Sequence, residues 1–391
     1  MLEAAIEKMP LPDDGDLWME TIPMRHNGWW TAVGICGSLL FATVLPAKAA
    51  DYQKPAPATA PPSYSASLLS QFETINSQIA QTEDASQIAF LHLKQADVLE
   101  QLVNSTRGKE RIGWMKQLAD SLQVAGMSHH SVQKLAHQRL GRMKDYAEKH
   151  MAGEQMVPYV TYRYMQVGHQ ALPEKDHKQI AKKAEMWQEH LAQFVEAYPK
   201  GEDSPLLMVE LAVLCEAKKD LEGARKWYSM LARVHPKHSM AKHAALASRR
   251  LGIDGKKLYL ALPRLADLND PFDIDQLNDK MIVDYFWSSM EPKSVQAFDK
   301  LSKVLSRYKS KGIEMVCVNV DQDHEKGRSM LNIGYVPGVH VHQRGGIEGR
   351  ITSQYGIGEV PSMILLGKGG QVLHRQPKME ELESEIKKHL K

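Results

Sequence analysis

Cysteine is scarce in this chain, with only three among 391 residues. Cys36 lies in an apolar run near the N-terminus, and Cys215 and Cys317 lie in two later segments of different pattern. A framework of disulfide bonds is therefore not indicated, even in an oxidising compartment. Because Cys215 and Cys317 both lie in apolar runs, where the pKa of a thiol rises and its reactivity falls, we expect two buried and inert thiols.

The chain also lacks a surplus of charge of one sign. It carries 49 Lys and Arg residues against 47 Asp and Glu residues, for a formal net charge of +2. No basic block is long enough to follow a phosphate backbone, so nucleic acids are not expected as partners. With 43% hydrophobic and 25% charged residues, the composition is that of a globular protein with enough length for two or three packed units.

The N-terminal region lacks an apolar run of the roughly 18 to 20 residues that a membrane-spanning helix needs. Residues 1–23 are acidic, whereas Met24 is followed by Arg25, the apolar run WWTAVGICGSLLFATVL and a small-x-small site that ends at Ala49. This pattern is typical of a secretory signal peptide. It predicts a translation start at Met24 and cleavage after Ala49, so that residues 1–49 form an N-terminal extension and signal peptide.

A cleaved signal predicts an exported protein in the periplasm or the cell envelope. If the segment is not cleaved, it would instead tether the protein to the membrane. A lipid anchor through Cys36 is less favoured, because Ile35 before it is bulkier than lipoprotein processing normally accepts.

Two segments of contrasting pattern follow the signal. Residues 50–66 are rich in Pro, Ala and Ser and predict an extended, solvated linker. Residues 67–252 repeat apolar side chains near the helical period, which predicts an all-helical domain. Helix-breaking residues separate the apolar runs, at Gly108, Gly126, Pro173, Pro199 and Pro236.

The end of the helical region carries small and aromatic residues that allow two helices to pack closely: Leu211, Ala212, Gly223, Ala224, Tyr228, Leu231 and Pro236. This segment resembles one repeat of the tetratricopeptide (TPR) kind, and the spacing from Pro199 to Pro236 is close to the expected period of about 34 residues. Helical arrays of this kind bind partners more often than they catalyse. A plain helical bundle remains the alternative for residues 67–180.

Residues 253–391 change to short apolar runs, rich in β-branched and aromatic residues, that alternate with helical patterns. Their order predicts a three-layer α/β domain with a mixed central sheet. The predicted fold class is therefore an all-helical, TPR-like hairpin domain at residues 67–252, followed by this α/β domain.

Three stretches of the α/β region occur in a characteristic order: DQLNDKMIVDYFW, VCVNVDQDHEKGRSML and YGIGEVPSMILLGKGGQVL. Together they resemble the thioredoxin fold, and within it the exported thiol-disulfide oxidoreductases of the TlpA and ResA type. The resemblance covers residues 253–391 and implies a thioredoxin-like domain there. It places Pro361 at the position of the family's cis-proline.

In these oxidoreductases the cis-proline exposes the preceding main chain to an extended substrate peptide. The resemblance therefore implies a binding ledge formed by Val360, Pro361 and Ser362, with Trp287 beside it. A fixed cis turn requires proline, because only X-Pro bonds adopt the cis form at modest cost. The alternative is a proline that merely enters a strand.

The resemblance also places the family's C-x-x-C motif opposite Glu291, Pro292, Lys293 and Ser294. Disulfide exchange needs an attacking thiolate and a resolving thiol, and neither a carboxylate nor a hydroxyl replaces them. We therefore predict no catalytic residue at this degenerate redox turn. Glu291 near a helix N-terminus should stay ionised, which makes it a poor general acid, and helix capping and solvation account for all four residues.

Two further candidates are a histidine pair and a cysteine. His340 and His342 alternate in GVHVHQRGG, so their rings would face one side of a strand, but two histidines without a nearby cysteine or carboxylate are half of a metal site. We predict a solvated sheet edge there, with no metal and no cofactor. Cys317 should be a core residue, since a strand covered on both faces by helices is buried.

The sequence thus predicts an exported, redox-inactive thioredoxin-like protein. It would act as a binding, scaffold or chaperone-like module for other envelope or exported proteins or peptides. One alternative is a thiol-disulfide oxidoreductase or isomerase of the TlpA type that uses Cys317 or a partner's cysteine. A second alternative is a structural envelope protein that works through its helical repeats.

Overall fold

The computed structural model describes residues 63–151, 155–172, 176–333 and 337–390. The predicted signal peptide and most of the predicted linker lie outside the described residues. Within the described ranges, no helix combines the length and the apolar character that crossing a bilayer requires.

The first part of the described chain is entirely helical, as predicted. Side-chain caps start several of its helices: the carboxylates of Asp84, Asp176 and Asp220 accept hydrogen bonds from the main-chain N–H groups of the first turn. Helix α1 begins inside the segment predicted as a linker. The bounds are α1 Ser63–Ala80, α2 Ala85–Ser105, α3 Gly108–Ser128, α4 His130–His150, α5 Met156–Gln170, α6 His177–Ala197, α7 Ser204–Ala217, α8 Leu221–Val234 and α9 Ala241–Leu251.

The prediction that Gly126 breaks a helix is wrong. Helix α3 continues through Gly126 to Ser128. The glycine lets α5 approach closely, since an added Cβ would lie 2.6 Å from a methyl group of Val167 in α5. The glycine therefore interrupts the hydrophobic pattern but not the hydrogen bonding of the helix.

The last three helices form successive hairpins. Leu211 and Ala212 of α7 and Ala224 and Leu231 of α8 are fully buried, as expected of the residues at which two helices approach closely. Salt bridges add to this packing, with Arg250 of α9 3.0 Å from Glu216 of α7. The helical hairpins are confirmed, and their relation to tetratricopeptide repeats stays a prediction.

The second part of the described chain is an α/β domain with a mixed sheet, also as predicted. Its central sheet has the order β5-β4-β3-β6-β7, in which β3, β4 and β5 are parallel and β6 and β7 are antiparallel to their neighbours. A separate two-stranded sheet pairs β1 with β2. The bounds are β1 Ala261–Pro263, β2 Pro271–Asp273, β3 Met281–Trp287, α10 Pro292–Ser306, β4 Ile313–Asn319, α11 His324–Ile333, β5 Val339–His342, α12 Arg350–Tyr355, β6 Ser362–Leu366, β7 Val372–His374 and α13 Met379–His389.

Strand β3 lies at the centre of this sheet and is buried along its whole length. Its alternate side chains enter two different cores. Ile282 and Phe286 pack on the face that α12 covers, whereas Val283 and Tyr285 pack on the face that α10 and α13 cover. The sheet therefore forms the middle of three layers, with an apolar core on each side.

The two parts of the chain meet where α9 packs on α12 and on the residues that follow it. The guanidinium of Arg249 donates a hydrogen bond to the carbonyl oxygen of Ser353 at 2.9 Å, and Lys242 pairs with Glu348. Gly356 has a φ of +71°, and a Cβ added to it would lie 2.3 Å from the carbonyl oxygen of Leu246. This glycine is therefore needed twice, for its backbone conformation and for the close approach of α9.

We predict that Gly356→Ala weakens the contact between α9 and the α/β domain. An added methyl group is unfavourable for two reasons. The left-handed backbone conformation costs a residue with a Cβ about 1 to 2 kcal/mol, and the methyl group would clash with the main chain of α9. Hydrogen exchange should show faster exchange of the α9 amides in this variant.

Gly255→Ala is the matched control. Gly255 has nearly the same φ, +70°, but an added Cβ would meet nothing within 4 Å. This control carries the backbone cost without the clash, so equal loss of α9 protection in the two variants would contradict the proposed role of the close approach.

Candidate functional site: a degenerate redox turn beside a cis-proline

The degenerate redox turn connects β3 to α10. Helix α10 begins at Pro292, a position where the missing N–H costs nothing, and the side chain of Glu291 caps it by accepting a hydrogen bond from Lys293 N at 3.2 Å. The capping role expected for Glu291 is therefore observed. Ser294 differs from expectation, since it is fully buried rather than solvated, and its carbonyl oxygen accepts a hydrogen bond from the Tyr285 hydroxyl at 2.8 Å.

A buried carboxylate holds the first half of this turn. Asp321 follows β4, and its oxygens accept hydrogen bonds from the Ser289 main-chain N–H at 3.0 and 3.2 Å and from Asn319 Nδ2 at 2.9 Å. The Ser288 hydroxyl also donates to Asp321. Asp321 is not among the site residues expected from the sequence, although the carboxyl ends of two parallel neighbouring strands, β3 and β4, necessarily lie side by side.

The turn faces the segment that precedes β6. The Val360–Pro361 peptide bond is cis, and Phe286 of β3 pairs with Ser362 of β6. This register brings the end of β3 next to the proline. Val360 is half-buried and Pro361 is exposed, whereas Ser362 is buried and its hydroxyl has no hydrogen-bond partner among the described residues.

The prediction that Trp287 lines the binding surface is wrong. Its side chain is 0% exposed, because its ring packs edge-on against Phe298 of α10 at 5.1 Å and against His340 of β5 at 5.9 Å. The exposed apolar side chain at the turn is Met290, which is 68% exposed. Trp287 therefore belongs to the core beneath the turn, and Met290 is the exposed apolar side chain of the turn.

A cavity of about 460 Å³ opens beside the proline, between α10, the start of β6 and the start of α13. Three groups of residues line it. The proline segment contributes Glu359, Pro361 and Ser362, and the sheet contributes Tyr285 and Met363. Helix α10 and the start of α13 contribute Lys293, Gln296, Ala297, Lys300, Gln376, Pro377, Lys378 and Met379.

Both thiols of the described residues are removed from this cavity. Cys317 is fully buried in β4, where burial and the nearby Asp284 raise the pKa of its thiol well above the usual range and its Sγ donates a hydrogen bond to Pro337 O at 3.4 Å. Cys215 is buried in α7, and burial raises the pKa of its thiol as well. A buried thiol with a raised pKa supplies little thiolate, so the expectation for Cys317 is confirmed.

The expected solvated edge around the histidines is only partly correct. Strand β5 is indeed an edge strand, but His342 is buried, and its Nδ1 lies 3.2 Å from Asn319 Oδ1. Burial, together with the nearby His324 and Arg344, lowers the pKa of His342. The described residues contain no group of three or more His, Cys, Asp or Glu side chains that is arranged to hold a metal ion.

Asp284 in the middle of β3 is a buried carboxyl group without a partner. It is 0% exposed, and neither of its oxygens has a hydrogen-bond partner among the described residues. Burial raises the pKa of this carboxyl well above its usual value. The group is therefore uncharged over a wider pH range in the folded chain than in the unfolded chain.

We predict that Asp284 makes the folded state less stable as the pH rises. Below the unfolded pKa of about 3.9 the carboxyl is neutral in both states and contributes no penalty. Above it, the unfolded chain releases the proton first, so the free energy of unfolding falls by up to about 1.4 kcal/mol per pH unit until the folded pKa is reached. Asp284→Asn should remove this slope, which urea unfolding at several pH values would measure.

The stability advantage of Asp284→Asn should thus be largest at alkaline pH and shrink as the pH is lowered to about 4. Asp279→Asn serves as the control, since the Asp279 side chain is 76% exposed. An advantage for Asp284→Asn that does not change with pH would contradict the assignment.

Comparisons with known proteins agree with the topology. Residues 278–372 match the family described as Thioredoxin-like. This stretch contains β3, the degenerate redox turn and Pro361. The comparison with curated proteins gave no match.

Among solved structures, the chain is similar to the Chlorobium tepidum protein described as the thiol:disulfide interchange protein DsbE, at 23% identity, covering 35% of this chain and 98% of that one with a TM-score of 0.32. It is also similar to a thiol-disulfide oxidoreductase from Bacteroides fragilis, at 22% identity, 34% and 97% coverage and a TM-score of 0.31. A third structure is a secreted disulfide oxidoreductase from Mycobacterium tuberculosis, at 18% identity, 33% and 95% coverage and a TM-score of 0.28.

The C-terminal part of the chain is thus a thioredoxin-like domain, as its strand order and the family match both indicate. The protein joins this domain to a preceding helical region, and the position that the sequence aligns with the family's C-x-x-C motif carries Glu291, Pro292, Lys293 and Ser294.

Proposed function

We propose that the protein is an exported, redox-inactive thioredoxin-like protein that binds extended segments of other envelope proteins, as a scaffold or chaperone-like module. One observation carries the proposal: an open cavity lies beside Pro361, while the turn next to it carries no thiol and Cys317 is fully buried. The domain keeps a surface for an extended chain and offers no accessible nucleophile for exchange.

The main chain of Val360, which lies between the lining residues Glu359 and Pro361, supports binding of an extended peptide. Strand β6 begins at Ser362, and the main chain of Val360 takes part in none of the turn, loop or side-chain hydrogen bonds of the described residues. Its polar groups are therefore available to a peptide that adds itself as a short strand. The exposed thioether of Met290 offers an adaptable apolar contact at the same end of the sheet.

We expect the purified chain to bind an unfolded polypeptide whose cysteines have been carboxymethylated, because binding at the cavity needs no thiol from either partner. Gln296→Trp should weaken the binding by covering the cavity that Gln296 lines. Asp299→Trp is the matched control, since Asp299 is exposed on the same helix but does not line the cavity. Fluorescence anisotropy of the labelled polypeptide measures the affinity, and equal affinities for the two variants would place binding elsewhere.

The second candidate function is thiol-disulfide exchange, which the match to the Thioredoxin-like family favours. This function would have to use Cys317 or a cysteine of the partner. Two obstacles oppose exchange by Cys317. A substrate disulfide cannot reach a thiol in the middle of a central strand, and a buried thiol forms little of the thiolate that attacks a disulfide.

An insulin-reduction assay separates the two candidates. We expect no turnover above the uncatalysed rate, since the redox turn carries no thiol that could attack the insulin disulfide. Cys317→Ser is the informative comparison: turnover by the native chain that disappears in this variant would establish the exchange function and overturn the binding proposal as stated.

A further inference from the structure

The cavity beside Pro361 carries an excess of positive charge. Lys293 and Lys300 lie two helical turns apart on the same side of α10, and Lys378 faces them from the start of α13. Glu359 is the one acidic residue among the lining residues. The lining thus holds three ammonium groups against one carboxylate.

These lysines have no ionic partners within the part of the chain that the structure describes. Many other lysines do: Lys116, Lys226 and Lys257, for example, lie within 3 Å of a carboxylate oxygen. None of the ion pairs among the described residues includes Lys293, Lys300 or Lys378. Their ammonium groups are therefore not held in ion pairs within the described residues, and an anionic ligand would be attracted to them.

Two helix N-termini add to the positive potential of the cavity. The long helices α10 and α13 both begin at the cavity, with Lys293 in the first turn of α10 and Met379 as the first residue of α13. The partial positive charge at a helix N-terminus favours a carboxylate. Glu291 and Glu381 already place a carboxylate near these N-termini, but each carboxylate accepts a hydrogen bond from the main chain at the start of its own helix.

Apolar side chains complete the lining. Met363, Pro377, Met379 and Ala297 line the cavity together with the lysines, and Met363 and Pro377 are buried. A simple anion would leave these apolar groups without a partner. An aliphatic side chain flanked by carboxylates would satisfy both the apolar lining and the lysines, and the free main chain of Val360 favours an extended backbone.

Resting on the proposed function, we propose that this cavity is selective for extended acidic peptide segments, in which an aliphatic side chain enters the cavity and flanking aspartates or glutamates contact Lys293, Lys300 and Lys378. The charge of the lining determines the preference, and the apolar groups and the main chain determine the extended form. The partner is thus an acidic unfolded segment of another protein rather than a basic one.

The test uses three fluorescent peptides that share a central leucine and differ only in its neighbours, which are aspartates, asparagines or lysines. We expect the full chain to bind the aspartate peptide about fivefold or more tightly than the asparagine peptide, since each exposed ion pair adds a modest factor to the affinity. The lysine peptide should bind most weakly, and the difference should shrink as salt is added.

Charge reversal assigns the preference to the cavity. Lys293→Glu combined with Lys300→Glu should reverse the order of the aspartate and lysine peptides, and Glu359→Gln should strengthen binding of the aspartate peptide. Lys303→Glu is the matched control, because Lys303 is an exposed residue of the same helix that does not line the cavity. If Lys303→Glu weakens binding as much as the pair of cavity substitutions does, the general charge of the domain is responsible and the inference is wrong.

The outcomes separate this inference from the proposed function. Equal binding of all three peptides, abolished by Gln296→Trp, would overturn the acidic selectivity but leave the peptide-binding function intact. No binding of any peptide would contradict both. Displacement of the aspartate peptide by inorganic phosphate at similar concentration would show a simple anion site, and would also overturn the inference.

Discussion

The burial of strand β3 is the constraint on which the rest of the α/β domain depends. All seven of its residues are buried, since β4 and β6 flank it and helices cover both of its faces. Its pairing with β6 places the Pro361 segment beside the turn, and its pairing with β4 places Asp321 under Ser288 and Ser289. The positions of the turn, of Asp321 and of the Pro361 segment relative to one another therefore follow from the register of this one strand.

The contacts at the end of the same strand also explain how the redox turn keeps one conformation although it contains no cysteine. In place of thiols the turn has a helix cap at Glu291, a buried Ser294, and hydrogen bonds from the Ser288 hydroxyl and the Ser289 main-chain N–H to the Asp321 carboxylate. Hydrogen bonds to a buried carboxylate hold a loop in one conformation. The turn is thus held against the end of β4, and of its residues Lys293 lines the cavity.

The helical region bears on the same site through α9. This helix packs against Gly356, five residues before Pro361, and hydrogen-bonds through Arg249 to the main chain of α12. Helix α9 therefore packs on the start of the segment that leads to the proline.

From the amino-acid sequence alone one can infer the order of helices and strands, the burial of Cys317, the cap at Glu291 and the absence of cysteine from the turn after β3, because periodicity, capping and residue identity are local properties. The sequence does not show that Trp287 is covered by α10 and β5, that Gly126 lies inside a helix, or that Asp321 supports the turn. The burial and the contacts of a residue depend on which segments, distant in sequence, pack against it. For the same reason only the tertiary structure brought Lys293, Lys300 and Lys378 to one cavity, since α10 and α13 are far apart in the chain and meet only where both pack on the same face of the sheet.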